Sequence, residues 1–224
     1  MKKILVTMAM IGAVAMTTFA QGTLQFANRI TTPALQTPVY GPDPASPTLS
    51  KSGQTTSGIP SGTQTYGGPL LAGTGFSVTF FAAAGQNVTD LNLFQAPASA
   101  TAGSTITTFR TGTLAGYFPS STLVYNNVPK DSAAGATGYV FAWDNKGGTV
   151  TDPTSALTAW LAGNLAAARS PLFNFNATTG GDFNTAPPSV NLVSFNIYTI
   201  PEPGTFVLAG LGAASLLLFR RLRK

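Results

Sequence analysis

With 224 residues the chain is long enough for one medium domain plus processing segments. Only 8% of it is charged, where a globular domain carries about 25%, so its surface must be polar through hydroxyls and amides. It has no cysteine and no histidine, which excludes disulfides, thiolate metal sites, Ser-His-Asp and Cys-His catalysis, and the commonest metal ligand. The net charge of +5 belongs to the two ends. Between residues 21 and 200 six basic residues (Arg29, Lys51, Arg110, Lys130, Lys146, Arg169) balance six acids (Asp43, Asp90, Asp131, Asp144, Asp152, Asp182). A nucleic-acid-binding domain needs a basic face, and this body has no basic cluster to make one.

Residues 1–20 read as a signal peptide. Lys2 and Lys3 form a positive start, residues 4–16 are uncharged and mostly apolar, and Thr18-Phe19-Ala20 supplies small residues three and one before a cut between Ala20 and Gln21. The Sec translocon and signal peptidase are the expected partners. The β-rich body is expected over 21–199. Residues 21–30 (QGTLQFANRI) read as a first strand. Residues 31–69 then carry seven prolines among many Gly, Ser and Thr, the composition of a long surface loop with room for a short hairpin or a lid.

Strand signals return after Gly75. Phe76-Ser77-Val78-Thr79-Phe80-Phe81 alternates with period two. Short strands are expected at 91–94, 105–110 and 123–125. The strongest is Tyr139-Val140-Phe141-Ala142-Trp143, which runs into the turn Asp144-Asn145-Lys146-Gly147-Gly148. Asp152-Pro153 then opens a helix with a capping acceptor and a proline at the first helical position. Leu157, Trp160, Leu161, Leu165 and Ala168 fall on one helical face, with Gly163-Asn164 a place for it to break. This helix is expected to plug an end or edge of the sheets. Residues 191–199 (NLVSFNIYT) alternate and close the body. The fold class is all-β: an antiparallel β-sandwich or jelly roll with one short helix.

The C-terminal end differs. Pro201-Glu202-Pro203 opens seventeen uncharged residues, 203–219, followed by Arg220, Arg221, Leu222, Arg223 and Lys224. That run sits at the lower limit of a membrane helix, and 204–219 is expected to be one. The four cations resist translocation, so the tail should end in the cytoplasm and the body outside. The two prolines deny helical continuity and hold Glu202 in an extended strip. A glycolipid-anchor signal would end apolar instead.

The motif, the apolar run and the basic end over 200–224 together resemble the PEP-CTERM sorting signal of Gram-negative-type bacteria. The resemblance implies reading by an exosortase-type membrane enzyme that cuts near Pro201, Glu202 and Pro203, transient residence in the inner membrane, and delivery to the cell surface or medium. The same tail is carried by some proteins described as ice-binding. The segments 22–29 (GTLQFANR), Phe109-Arg110-Thr111-Gly112, Ala142-Trp143-Asp144-Asn145 and Ser194-Phe195 resemble secreted verrucomicrobial-type proteins with this tail, whose activity is not known.

No catalytic set emerges, no cofactor is implied, and no enzyme activity is expected. Asp131, Asp144, Asp152 and Asp182 read as turn and cap residues rather than as paired carboxylates for glycoside hydrolysis. Asp144, Asn145 and Asp152 border one loop and offer hard oxygens of the kind calcium takes, but their spacing matches no EF-hand. Trp143, Trp160, Tyr117, Tyr125 and Tyr139 read as core rather than as a sugar-stacking platform. The Thr-x-Thr pairs at 63/65, 105/107, 111/113 and 149/151 lack the period of an ice-binding solenoid. The expected role is a structural or adhesive envelope protein associated with exopolysaccharide. The alternative is a carbohydrate-binding or ice-binding module on the same tail.

Overall fold

In a computed structural model of the protein the described residues are 21–100, 105–129, 135–175 and 191–201. The expected signal peptide, the tail from Glu202 onward, and Lys130, Asp131 and Asp182 lie outside them. In chain order the elements are β1 (Gln21–Phe26), β2 (Arg29–Thr31), β3 (Ala34–Gln36), β4 (Val39–Tyr40), β5 (Gly73–Ala84), β6 (Ser99–Ala100) and β7 (Thr107–Phe109). They continue with β8 (Ser121–Pro129), β9 (Ala136–Asp144), α1 (Pro153–Leu161), β10 (Ala166–Arg169), β11 (Phe173–Phe175), β12 (Phe195–Asn196) and β13 (Tyr198–Thr199).

β9 organises the molecule. β5 pairs along its whole length on one side, while β10 and β11 share the other side. With β7 and β13 at the edges these strands make a six-stranded antiparallel sheet. Every residue of β9 but Asp144 is buried. Its alternation is therefore one of size rather than polarity. Ala136, Val140 and Ala142 enter one core, and Tyr139, Phe141 and Trp143 enter another. A strand buried on both faces reads as a continuous apolar run for this reason.

The first core lies between this sheet and a smaller antiparallel sheet of order β1-β8-β6. Leu24 and Phe26 from β1 and Leu123, Tyr125 and Val128 from β8 meet Val78, Phe80 and Ala82 from β5. Tyr125 Oη donates to the Phe80 carbonyl at 3.2 Å, and Asn127 Nδ2 donates to the Ala82 carbonyl at 2.7 Å, so the two layers are also hydrogen-bonded. The second core lies on the opposite face, where Ala156 and Trp160 of α1 cover Phe81, Tyr139, Phe141 and Trp143. The helix thus covers a face of the large sheet instead of plugging an end or edge. The aromatic row of β9 requires this, because three large rings in water would forfeit about 1.5–3 kcal/mol each.

The antiparallel all-β class stands as expected from the sequence, and among the described residues α1 is the one α-helix. Several boundaries differ. The first strand is interrupted at Ala27-Asn28, both buried, so that β2 turns away to pair with β3. Where the sequence predicts a strand over 91–94, Leu91–Leu93 form a 3₁₀ turn, because Asp90 caps it: its carboxylate accepts from the Asn92 amide at 3.0 Å. The helix ends at Leu161, where Gly163 adopts a φ of 80°. Leu165 and Ala168 therefore leave the helical face, and the alanine run 166–168 becomes the strand β10 against β9. Residues 191–199 divide into β12, which pairs in parallel with β4, and β13, which pairs with β10.

The segment 31–69 is irregular but well tied. Besides β3 and β4 it carries isolated bridges from Gln36 to Ile59, Ser52 to Phe195 and Thr55 to Gln64. Amide side chains complete the work. Asn196 accepts from the Lys51 amide at 2.6 Å and donates to the Leu49 carbonyl at 2.9 Å. Backbone groups that have no ladder partner must find another, and the amides supply it.

Candidate functional site

The polypeptide leaves the described fold through β13, at the edge of the large sheet. Thr199 pairs with Ala166 and Tyr198 with Ala167. The Thr199 amide donates to the Pro47 carbonyl at 3.0 Å, and the Trp160 indole N–H donates to the Tyr198 carbonyl at 3.1 Å. The Trp160 and Tyr198 rings meet edge to face with centroids 5.4 Å apart. Ile200 packs against the helix-side core, and Pro201 is exposed. Of the expected motif, Pro201 is placed, while Glu202, Pro203, Arg220, Arg221, Arg223 and Lys224 lie outside the described residues. At the other end β1 begins at Gln21, the residue after the expected cut, and Ala20 lies outside. Among the described residues no helix is long and apolar enough to cross a membrane, and the expected span 204–219 is not among them.

A cleft opens beyond the same helix-side core. Arg169 ends β10, and its guanidinium stands 5.8 Å from the Tyr139 ring centroid and 5.5 Å from that of Trp160. Burial pushes the Tyr139 hydroxyl above its usual value, and the Arg169 charge beside it opposes part of that rise. A cavity of about 310 Å³ is lined by Thr89, Leu91, Tyr139, Arg169, Ser170, Pro171 and Leu172. A second, of about 210 Å³, shares Thr89 and Leu172 and continues along Asn87, Thr137 and Asn174. Asn87, at a φ of 59°, takes its amide to Asn174 Oδ1, and Asn174 Nδ2 returns to Asn87 Oδ1, both at 2.8 Å. Neither cavity has a carboxylate in its lining.

The described acids serve turns and caps. Asp43 accepts from the Ala45 amide, Asp144 from the Lys146 amide at 2.8 Å, and Asp152 from the Ser155 amide at 2.7 Å. Asn145 is buried, donating to Thr74 and Ser77 and accepting from Gly148. The oxygens considered for calcium are engaged in this way, and among the described residues no group of three or more acidic ligands gathers. Trp143, Trp160, Tyr125 and Tyr139 are core residues, so they form no exposed platform. Of the Thr-x-Thr pairs only Thr107 lies in a strand.

Sequence reasoning missed a second aromatic group. Tyr40 and Tyr66 stack with centroids 4.2 Å apart and planes 1° from parallel. The Tyr66 hydroxyl lies 2.7 Å from the carbonyls of both Gly53 and Ser194, and burial drives its pKa well above the usual range. Arg29 lies 5.9 Å over the ring of Tyr117, and burial, with Tyr117 nearby, pushes the Tyr40 hydroxyl above its usual value. Both stacked tyrosines sit in or beside the proline-rich stretch, where no periodicity marks them. It also missed Arg169, whose strand was read as helix.

Comparison with known proteins gives one result. A family described as PEP-CTERM protein-sorting motif matches residues 199–224. No match is found among curated proteins or among solved structures. The matched segment begins inside β13 and runs to the last residue, Lys224. The chain thus carries a PEP-CTERM protein-sorting motif, the mark of an exported protein that passes the membrane and is processed through an exosortase.

Proposed function

We propose that the body delivered by this tail is a non-enzymatic, structural or adhesive envelope module that holds exopolysaccharide in the Arg169–Tyr139 cleft. The observation that carries the reading is the guanidinium itself. The described ion pairs are Lys51 with Asp43 and Lys146 with Asp144, so Arg169 has an aromatic ring beside it and no described carboxylate. Around it stand the hydroxyls of Thr89 and Ser170 and the apolar surfaces of Leu91 and Leu172. Sugars present that same mixture of hydroxyls and C–H faces, and a uronate adds a carboxylate that a guanidinium can grip with two hydrogen bonds. The signal peptide brings the body out, and the basic end keeps the C-terminus inside until processing.

Glycan-array binding of the full-length protein in detergent tests the reading. Retention of acidic polysaccharides is expected, with Arg169→Ala weakening it by roughly tenfold, the loss of a charge-assisted hydrogen bond. Absence of binding to any glycan would discard the cleft as a sugar site. The termini are checked separately. Mass spectrometry of the mature protein from its native cell should show Gln21 at the N-terminus and a C-terminus within or beside Pro201–Pro203.

A further inference from the structure

The matched sorting motif starts at Thr199, which is already hydrogen-bonded into the sheet. Ile200 is packed on the core beneath α1. Only Pro201 and Glu202 then separate the packed chain from the uncharged run that begins at Pro203. Two extended residues reach about 7 Å. The headgroup layer on each side of a bilayer is itself roughly 5–8 Å deep. With β13 docked and the expected span 204–219 in the bilayer, this reach would hold the folded body at the membrane surface and leave little free chain on the N-terminal side of the motif.

An enzyme that reads an extended segment engages the backbone on both sides of the motif. The backbone on the N-terminal side is already committed. Thr199 N–H is held by Pro47, the Tyr198 carbonyl by the Trp160 indole, and both residues by β10. We infer that β13 is a latch on the sorting motif: the exosortase engages Pro201-Glu202-Pro203 from the state in which Tyr198, Thr199 and Ile200 have left the sheet edge. The inference rests on the sorting function of the tail and concerns the step before any peptide bond is broken. The latch is suited to local release. It is two residues long, lies at an edge, and is not part of the β5–β9 pairing that holds the two cores together. Short edge segments open at a small fraction of the global unfolding free energy. Trp160 sets how often this one does, because it both donates to the Tyr198 carbonyl and packs edge to face against the Tyr198 ring.

Pulse-chase labelling in a host that expresses the exosortase measures conversion of precursor to mature protein. Insertion of Gly-Ser-Gly-Ser-Gly-Ser between Ile200 and Pro201 supplies slack and should speed conversion. Ala166→Cys with Thr199→Cys places two thiols at directly paired positions in a chain without other cysteines. Oxidised, this variant should mature about tenfold more slowly, since the rate follows the fraction of open latch. A mild reductant, or the same insertion added to it, should restore the rate. Deletion of Pro201, Glu202 and Pro203 is the control for the tail. If that deletion matures normally, the sorting reading falls. If it blocks maturation while the insertion leaves the rate unchanged, or the oxidised pair matures at the normal rate, the latch is overturned and the sorting reading stands.

Discussion

Asn28 donates from Nδ2 to the carbonyls of Thr37 and Gly116, at 3.0 and 2.8 Å, and accepts at Oδ1 from the Phe118 amide at 3.1 Å. It is completely buried. Asn145 and Asn196 act alike, each joining segments far apart in the chain. In a chain this poor in charge and without disulfides, buried amides are the polar staples. Asn28→Ala takes the side-chain partner from the buried Thr37 carbonyl and Phe118 amide, at about 1–3 kcal/mol each, while the Gly116 carbonyl keeps the Val39 N–H, so a loss of about 2 kcal/mol or more in urea unfolding is expected. The tyrosines set a second expectation. Tyr40, Tyr66, Tyr117, Tyr125 and Tyr139 all have hydroxyls raised above 10.0, in each case chiefly by burial. Between the unfolded and folded values the native state binds more protons, so stability is fully present below the unfolded value and falls as pH rises beyond about 10. Melting temperature followed from neutral pH upward should turn down there, and Tyr125→Phe should soften the descent.

Among the elements, α1 was legible because its start is local chemistry. Asp152 caps and Pro153 follows, and neither depends on the rest of the fold. Asp152→Ala should cost about 1 kcal/mol in thermal unfolding, the usual worth of an N-cap. β10 was not legible. Three alanines favour helix, but after Gly163 the open edge of β9 takes them as strand, and intrinsic propensity yields to tertiary pairing. The 3₁₀ turn at Leu91–Leu93 went the other way, its apolar residues outweighed by the Asp90 cap. Gly138 shows how closely the strands fit. A Cβ there would collide with the Phe80 ring, which lies over the glycine on the neighbouring strand. Gly138→Ala should therefore destabilise by about 1–3 kcal/mol, as overpacking does, whereas Gly75→Ala meets open space and should be tolerated.

At the scale of the molecule, β5 and β9 belong to both cores, one on each face. Neither core can be lost without exposing the strands that build the other. Unfolding in urea should accordingly be one transition. Both tryptophans sit in the helix-side core, so their fluorescence reports that layer, while far-ultraviolet circular dichroism reports the sheets. The two curves are expected to coincide; a helix-side transition at lower urea would mean that α1 is an independent layer. The candidate cleft depends on this arrangement. Tyr139 comes from the central strand, Arg169 from β10 and Leu91 from the turn after β5, and only the stacked sheet and its neighbouring loops bring them to one place.

By itself the sequence determined what is written in contiguous residues. The sorting tail is of this kind, because the protein-sorting motif over 199–224 is a linear string of residues. The β-rich class, the size alternation of β9 and the cap of α1 are of the same kind, since each arises from neighbours within a few residues. Tertiary structure alone decided that the helix covers a sheet face, that Tyr40 stacks on Tyr66, that Arg169 meets Tyr139, and that the sorting motif begins inside a paired strand. Each of these joins residues separated by tens of positions. Such contacts are selected by complementarity between surfaces that exist only after the chain has folded.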